Sequence, residues 1–142
     1  MQNSKIKKKI ITLIGPTASN KTYTAVHLVK KFPISIIGVD SVQIYKRFNI
    51  GSAKPPKEIL EKYKHHLVDS TDPENIFSVK DFYDQAYRIV LQAHSNNRIP
   101  LLVGGTMMYF NAVFKGINDI PEGNEAIREE LQQELDNKGV DK

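Results

Sequence analysis

The 142-residue sequence predicts an α/β fold in which helices cover both faces of a parallel sheet, a doubly wound arrangement. Apolar runs alternate with stretches of helical periodicity along the chain. The runs at 34–39 and 99–103 are nearly continuous, as in strands that are buried on both faces. The first apolar run leads into a glycine-started loop that ends in Lys-Thr and opens a helix, which is the P-loop arrangement. We therefore expect a P-loop NTPase-like sheet, incomplete in this chain.

The elements are expected in the following order. Strand 10–14 precedes the P-loop, and helix 22–31 follows it with Val26 and Val29 facing inward. After strand 34–39, we expect a short amphipathic segment at 58–63, a short strand at 65–69, a helix from the N-cap Ser78 to about Ser95, strand 99–103, a helix capped by Thr106 that ends at Gly116, and a charged helix at 125–135.

The composition is that of a soluble globular domain. Apolar residues make up 40% of the chain and charged residues 25%, and the length suits a single domain with a real core. Because there is no cysteine, disulfides, thiolate metal sites and cysteine nucleophiles are excluded, which fits a reducing cytoplasm. No apolar run approaches the length that crosses a membrane. We expect a soluble, cytoplasmic protein.

The net charge of +4 is distributed unevenly along the chain. Residues 122–142 hold seven acidic and three basic side chains, whereas residues 1–121 hold 17 basic and nine acidic ones, a net charge of +8. A basic body suits a polyanionic partner, although a lysine-rich soluble surface explains the charge equally well. We accordingly divide the chain into a P-loop α/β core at 1–121 and the start of a helical insertion at 122–142.

The P-loop is the strongest candidate site. Its backbone N–H groups and the positive end of the following helix favour an anion, to which Lys21 adds a full charge. The Thr22 hydroxyl stands where a magnesium ion or a phosphate oxygen would lie. The predicted phosphate-binding residues are Gly15, Pro16, Thr17, Ala18, Ser19, Asn20, Lys21 and Thr22.

Asn20 occupies the position before the lysine, where P-loops usually have glycine. Glycine is favoured there because the backbone approaches phosphate closely, in places at positive φ. Asparagine tolerates a left-handed conformation better than most other residues. We expect the loop to keep its shape, with the Asn20 side chain directed away from the phosphate.

Two further groups follow buried strands. Asp40 follows the second strand, and the Gly104-Gly105-Thr106 turn follows the strand at 99–103. Ligands bind beyond the carboxyl ends of parallel strands, so both groups should lie on the same rim as the P-loop. Asp40 either caps the next turn or acts in catalysis, and the two roles are compatible. His65 and His66 would point to opposite faces of a strand, which makes them a poor pair of metal ligands.

Five blocks together resemble the tRNA dimethylallyltransferase family. They are the P-loop, the Asp-Ser-x-Gln-x-Tyr block at 40–45, Gly-Ser-Ala-Lys-Pro at 51–55, His-His-Leu-Val-Asp at 65–69 and Gly-Gly-Thr at 104–106. They occur in the family's order and reach from about residue 10 to residue 121. The P-loop alone is weak evidence, but joined to the second and fifth blocks it is strong.

The resemblance implies transfer of a dimethylallyl group from dimethylallyl diphosphate to N6 of an adenosine next to the tRNA anticodon. It implies that the P-loop holds the donor diphosphate with Mg2+, that Thr22 contacts the diphosphate or the metal, and that Asp40 is the catalytic base. Gln43 carries a donor and an acceptor with which to read an adenine edge. The implied tRNA contacts are Asp40, Ser41, Val42, Gln43 and Thr106. We expect a monomer with tRNA and dimethylallyl diphosphate as partners and no membrane.

Members of that family usually run much further, so the chain resembles an amino-terminal portion, and the helix at 125–135 would begin a tRNA-binding insertion. Three alternatives stay open at this point. An adenylate isopentenyltransferase would act on free nucleotide, and an inactive phosphate- or tRNA-binding fragment would carry out no transfer. A small-molecule P-loop kinase should have clustered lid arginines. The chain's four arginines, Arg47, Arg88, Arg98 and Arg128, are not clustered in sequence.

Overall fold

The computed structural model describes residues 9–117 and 124–139. Within these ranges the chain forms four strands, which are β1 (Ile11–Ile14), β2 (Ile34–Val39), β3 (His65–His66) and β4 (Ile99–Gly104). It also forms five helices, which are α1 (Lys21–Val29), α2 (Lys57–Lys62), α3 (Val79–Ser95), α4 (Met107–Lys115) and α5 (Glu125–Lys138).

The four strands form one parallel sheet in the order β1-β4-β2-β3. The register brings the ends of three strands level, because Gly104 of β4 lies opposite both Ile14 of β1 and Val39 of β2. The chain therefore leaves these strands along one edge, as expected for parallel strands. That edge carries the P-loop, Asp40 and the turn at Gly105.

Helices cover both faces of the sheet, which confirms the doubly wound fold. Alternate residues of β2 serve opposite faces, as the two-residue period of a strand requires. Ile37 and Val39 pack with Phe82 of α3 and Phe110 of α4, all nearly inaccessible to solvent. Ile34 and Ile36 pack on the other side with Ala25 of α1 and Leu101 of β4.

An aromatic pair strengthens the α3–α4 side of the core. The rings of Phe82 and Tyr109 stack with centroids 4.1 Å apart, and both side chains are buried. A fully buried side chain of the size of phenylalanine contributes about 1.5–3 kcal/mol to stability through the hydrophobic effect. The same burial raises the pKa of the Tyr109 hydroxyl above its ordinary value.

The start of α3 has the predicted cap. The Asp81 backbone N–H donates to Ser78 Oγ at 3.1 Å, and the Ser78 backbone N–H donates to Asp81 Oδ2 at 2.9 Å. These reciprocal bonds form a capping box. The Ser78 hydroxyl and then its backbone N–H, both donating to the carboxylate, lower the pKa of Asp81. The predicted end of this helix at Ser95 is also confirmed.

Several predicted boundaries are wrong by a few residues. Helix α1 ends at Val29, before the expected residue 31, and α5 continues to Lys138, beyond the expected residue 135. Strand β3 has two residues where five were expected. Leu67 and Asp69 adopt left-handed backbone conformations, with φ of 59° and 54°, so the extended conformation cannot continue past His66.

Helix α5 forms as predicted, and every described residue from 124 to 139 is exposed. Its apolar side chains Ile127, Leu131 and Leu135 are 42–59% exposed. The proposed division at residue 121 lies outside the described residues. No helix in the described parts of the chain is both long enough and apolar enough to cross a membrane.

Candidate functional site

A cleft of about 960 Å³ opens at the carboxyl edge of the sheet. The P-loop, the turn that begins at Asp40 and the turn after β4 line it together. Every residue predicted from the sequence to bind phosphate or tRNA lies on this cleft, namely residues 15–22, Asp40, Ser41, Val42, Gln43 and Thr106.

The P-loop closes largely on itself. Ser19 Oγ donates to the Pro16 carbonyl oxygen at 2.8 Å, and Lys21 Nζ donates to the same carbonyl oxygen. Asn20, the N-cap of α1, has φ 59° and ψ 22°, which confirms that this asparagine takes the left-handed conformation. Its side chain caps no backbone N–H of α1. Ala18 is also left-handed, with φ 62°.

Glycines allow the ends of β1, β2 and β4 to approach one another. A Cβ atom at Gly104 would lie 2.0 Å from the Val39 carbonyl oxygen, so this position tolerates only glycine. That same oxygen accepts hydrogen bonds from the backbone N–H groups of Gly105 and Thr106, each at 3.2 Å. The Gly15 N–H donates to the Gly104 carbonyl oxygen at 3.3 Å, which attaches the P-loop to the turn after β4.

Asp40 caps the turn that follows β2. Its Oδ1 accepts from the backbone N–H groups of Val42 at 2.9 Å and Gln43 at 3.1 Å. This is the arrangement by which aspartate side chains nucleate turns. Within the described part of the chain, no group donates a hydrogen bond to Oδ2. The capping interpretation is therefore confirmed, and one carboxylate oxygen of Asp40 takes no part in the cap.

The expectation that Thr106 caps α4 with its side chain is wrong. Thr106 occupies the N-cap position of α4, but its hydroxyl forms no capping bond to that helix. Instead, Thr106 Oγ1 accepts from the Ser41 backbone N–H at 3.1 Å. A competing donor from the turn after β2, 65 residues away in sequence, satisfies the hydroxyl. Thr106 thus links two walls of the cleft.

The Gln43 side chain is partly committed within the protein. Its Nε2 donates to the carbonyl oxygens of Ser52 at 3.1 Å and Ala53 at 3.0 Å. A primary amide has two N–H donors, so both are used. In this conformation Oε1 is therefore the group of Gln43 that is left for a substrate.

The sequence interpretation missed a buried lysine and an apolar wall of which it had named only Val42 as a site residue. The apolar wall consists of Val26, Val42, Ile59, Val103 and Met107, all on the cleft. These residues stand in separate helices, strands and loops, so no local pattern groups them. Lys54 lies just outside the cleft with 4% of its side chain exposed. Its place in a basic, turn-rich stretch gave no signal of burial.

The two histidines on β3 are partly buried. His65 Nδ1 donates to the Tyr63 carbonyl oxygen at 2.6 Å, and its buried Nε2 has no partner among the described groups. Burial lowers the pKa of His65, against the smaller opposing effect of the Tyr63 carbonyl. Burial and the nearby cations Lys64 and Arg98 lower the pKa of His66. The described residues contain no cluster of three His, Asp or Glu side chains able to hold a metal ion.

The sequence profile of the family described as IPP transferase matches residues 43–142 of this chain. The chain belongs to the IPP transferase family. Curated relatives support the assignment. The tRNA dimethylallyltransferase of Dichelobacter nodosus is 44% identical over 131 residues, which cover 92% of this chain. That of Legionella pneumophila is 44% identical over 136 residues, or 96% of this chain.

Solved structures of family members share the fold. The tRNA isopentenylpyrophosphate transferase of Bacillus halodurans matches 94% of this chain with a TM-score of 0.75 and 40% identity. A eukaryotic dimethylallyltransferase described as acting on tRNA matches 88% with a TM-score of 0.76 and 26% identity. The P-loop NTPase-like class of this IPP transferase sheet is thereby confirmed.

The chain spans less than half the length of the family members it matches. It covers 41% of the Dichelobacter nodosus relative, 44% of the Legionella pneumophila relative and 45% of the Bacillus halodurans protein. The shared portion of the IPP transferase family includes the whole cleft described above.

Proposed function

We propose that the cleft is the active site of a tRNA dimethylallyltransferase, which transfers a dimethylallyl group from dimethylallyl diphosphate to N6 of an adenosine next to the anticodon. One observation carries the proposal. The P-loop, a carboxylate with one oxygen that its turn does not use, and the apolar wall line a single cleft. The donor is a diphosphate joined to a five-carbon apolar chain, and a cleft of this composition complements both of its parts.

In this proposal residues 15–22 bind the diphosphate of the donor. The P-loop N–H groups and the amino end of α1 favour the anion, and Lys21 neutralises part of its charge. Lys21 would exchange its bonds to the Pro16 carbonyl and Ser19 Oγ for diphosphate oxygens. The same groups stabilise the charge that collects on the diphosphate as it leaves.

The residues present suit Mg2+ as the associated metal. Magnesium commonly uses one or two protein oxygens together with substrate phosphates and water, and no dedicated cage. Thr22 provides such an oxygen on the P-loop side of the cleft, and the described residues contain no larger ligand cluster. When bound, the ion would neutralise negative charge on the departing diphosphate. Thr22 would hold the ion or the diphosphate.

Asp40 is the proposed general base. The N6 nitrogen of adenine forms a bond to C1 of the allyl group while the bond from C1 to the diphosphate oxygen breaks, and the diphosphate leaves with the electron pair. The carboxylate of Asp40 accepts the proton that N6 loses. Its Oδ1 is held by the turn, so Oδ2 is the oxygen that meets the proton.

The tRNA side of the cleft would consist of Asp40, Ser41, Val42, Gln43 and Thr106. A base in a loop must leave its stack to reach a cleft of this kind. Gln43 Oε1 can accept from the adenine amino group, since Nε2 is engaged with the loop at residues 52–53. The net charge of +8 over residues 1–121 suits the RNA backbone. We also propose that the protein is a monomer and that it is located in the cytoplasm.

The test measures transfer of labelled dimethylallyl from its diphosphate to tRNA and, in parallel, to free AMP. A full-length family member serves as the positive control, because this chain covers less than half of such proteins. Transfer to tRNA alone supports the proposal. Transfer to AMP alone assigns the cleft to an adenylate isopentenyltransferase. No transfer by this chain, with a functioning control, identifies an inactive fragment.

A further inference from the structure

Lys54 is a buried cation outside the cleft, to which the proposed mechanism gives no role. Only 4% of its side chain is exposed, although lysine is rarely buried unless its charge is compensated. It follows Ala53, which lines the cleft, but it does not line the cleft itself. Because Lys54 is next to a cleft residue but does not line the cleft, we expect it to act through its neighbours.

The ammonium group of Lys54 has three donors and uses all of them. Nζ donates to the Tyr45 carbonyl oxygen at 2.8 Å, to Asn49 Oδ1 at 3.1 Å and to Asp69 Oδ1 at 2.9 Å. These acceptors belong to three different segments: the turn after β2, the loop at 47–53, and the segment after β3. One side chain therefore holds together three pieces of irregular backbone.

The same three segments hold the turn that Asp40 caps. Asp40 Oδ1 accepts from the Gln43 N–H, the Gln43 carbonyl accepts from the Asp69 N–H at 2.9 Å, and Gln43 Nε2 donates to the carbonyls at 52–53. Lys54 thus connects to the partners of Gln43 on both sides. Chains of hydrogen bonds of this kind fix side chains more firmly than their separate members do.

The backbone in these segments is conformationally demanding. Arg47, Ala53, Leu67 and Asp69 all have positive φ, between 52° and 65°. Residues other than glycine persist in that region only when surrounding contacts determine their conformation. Lys54 bonds Asp69 directly, and it bonds Asn49 in the loop that contains Arg47 and Ala53.

We propose that Lys54 is a positioning residue that fixes the Asp40 turn against the loop at 47–53. Through Tyr45, Asn49 and Asp69 it sets the geometry of Asp40 and Gln43 without touching substrate. The consequence for catalysis rests on the proposed function. The consequence for the turn itself does not depend on it.

Lys46 provides a matched control. It belongs to the same group of loops and forms an ion pair with Asp72 at 3.1 Å, but its side chain is 43% exposed and that of Asp72 47%. Exposed pairs of this kind contribute little to stability. Replacing Lys46 removes the same charge from the same region and leaves the three bonds of Lys54 intact.

The first experiment compares Lys54→Met with Lys46→Met by amide hydrogen exchange on this chain. The amides of Val42 and Gln43, which donate to Asp40 Oδ1, should exchange at least tenfold faster in Lys54→Met and within twofold of the parent in Lys46→Met. Unchanged exchange at Leu101 in the core would establish that each variant is folded. Equal exchange at Val42 and Gln43 in the two variants overturns the proposal.

A milder pair of variants covers the case in which Lys54→Met does not fold. Asn49 is exposed and is not left-handed, so Asn49→Ala removes one of the three acceptors of Lys54 without opening the core or straining the backbone. Its Val42 and Gln43 amides should exchange at least threefold faster than those of Asp72→Ala. Equal rates in these two variants contradict the proposal as well.

The catalytic consequence is measured in a full-length family member that carries the matching lysine. Lys54→Met should lower kcat about 10- to 100-fold, because a displacement of about 1 Å can reduce rates to that extent. The dissociation constant for pyrophosphate should stay within twofold of the parent, since the P-loop is independent of Lys54. An unchanged kcat overturns the catalytic part. If the parent transfers no dimethylallyl group, the proposed function fails, while the exchange comparison still decides whether Lys54 positions the turn.

Discussion

The two sides of the cleft are built in opposite ways. The P-loop holds its shape through bonds among its own residues, such as those from Ser19 and Lys21 to the Pro16 carbonyl, and one backbone bond to Gly104. The Asp40 turn is capped by Asp40 itself, and it is also held by residues from other segments of the chain. Thr106 accepts from Ser41, the Asp69 N–H donates to the Gln43 carbonyl, and Lys54 donates to the Tyr45 carbonyl.

This difference matches what each side has to do in the proposed reaction. A diphosphate is a strong anion that N–H groups and a lysine attract over a range of geometries, so a loop that adjusts to it suffices. Proton transfer needs a base within hydrogen-bond reach of one particular proton. The more interlocked side therefore carries the group whose position matters more. Variants on the two sides should separate diphosphate binding from transfer.

The largest expected effect is on transfer, from Asp40→Asn. Asparagine keeps the Oδ1 acceptor that caps the turn at Val42 and Gln43 but cannot accept the N6 proton. We expect transfer to fall by about two to four orders of magnitude, the range for a positioned general base, with pyrophosphate affinity nearly unchanged. The measurement is single-turnover transfer in a full-length protein, together with calorimetry of pyrophosphate.

Asp72→Asn is the control for this prediction, because Asp72 is a half-exposed carboxylate that pairs with Lys46 on the same side of the molecule. Its transfer rate should stay within about twofold of the parent, since exposed ion pairs contribute little. Near-normal turnover of Asp40→Asn would leave Asp40 with its capping role alone.

Much of the fold follows from local sequence patterns. Strand β2 and helix α3 appear at the predicted positions because buried apolar runs and the Ser78–Asp81 capping box are signals carried by neighbouring residues. The end of β3 was mispredicted for the converse reason. Leu67 and Asp69 take left-handed conformations, and Asp69 donates from its backbone to Gln43, a distant residue.

The same distinction between local signals and distant partners applies to the candidate site. The P-loop and the left-handed Asn20 could be predicted, because a strand, a loop and a helix in sequence specify them. The tie between Thr106 and Ser41 and the commitment of the Gln43 amide could not, since their partners lie 65 and about 10 residues away. The burial of Lys54 likewise depends on packing that its own sequence stretch does not reveal.

The next prediction concerns the P-loop side. Lys21→Ala should weaken pyrophosphate binding about tenfold or more, because a compact positive charge next to the anion is lost. Helix α1 should remain, since alanine is a good helix former. Calorimetry with pyrophosphate and Mg2+ measures the effect. Lys31→Ala, just beyond the same helix, is the matched control, and equal affinities of the two variants would contradict the P-loop interpretation.

The third prediction concerns pH and the segment that supports the Asp40 turn. Burial holds the pKa values of His65 and His66 below the ordinary value near 6.5 in the folded chain. The unfolded chain therefore binds more protons as the pH falls through that value, so stability is full above about pH 6.5 and decreases below it. Denaturant unfolding at pH 7.5 and 5.5 should show the decrease.

The double variant His65→Asn with His66→Asn tests the origin of that pH dependence. Asparagine at residue 65 can keep the bond to the Tyr63 carbonyl but does not titrate. The difference in stability between pH 7.5 and 5.5 should shrink markedly in the double variant. His27→Asn, at an exposed position on α1, should leave the difference unchanged. If the double variant keeps the full difference in stability between pH 7.5 and 5.5, groups other than His65 and His66 cause the pH dependence.

The smallest expected effect is the gain from Asn20→Gly, which should tighten pyrophosphate binding by at most about tenfold. A left-handed backbone costs a residue other than glycine roughly 1 kcal/mol, and a side chain at this position either crowds an approaching phosphate or must be held away from it. Glycine removes both costs, but it gives the unbound loop more conformational freedom. That freedom cancels about 0.5–1 kcal/mol of the gain in binding free energy. Because Asn20 makes no capping bond to α1, its removal sacrifices no such bond. Titration with pyrophosphate and Mg2+ measures the balance.

Ala18→Gly separates the two sources of that gain. Ala18 is left-handed as well, with φ 62°, but its side chain is a single methyl group. If relief of the left-handed backbone strain dominates, both glycine variants should tighten pyrophosphate binding to a similar extent. If crowding of the phosphate by the asparagine side chain dominates, only Asn20→Gly should do so. Weaker binding by Asn20→Gly would mean that the asparagine side chain itself contacts the diphosphate, and the P-loop side of the cleft would then depend on a side chain where related loops use the backbone.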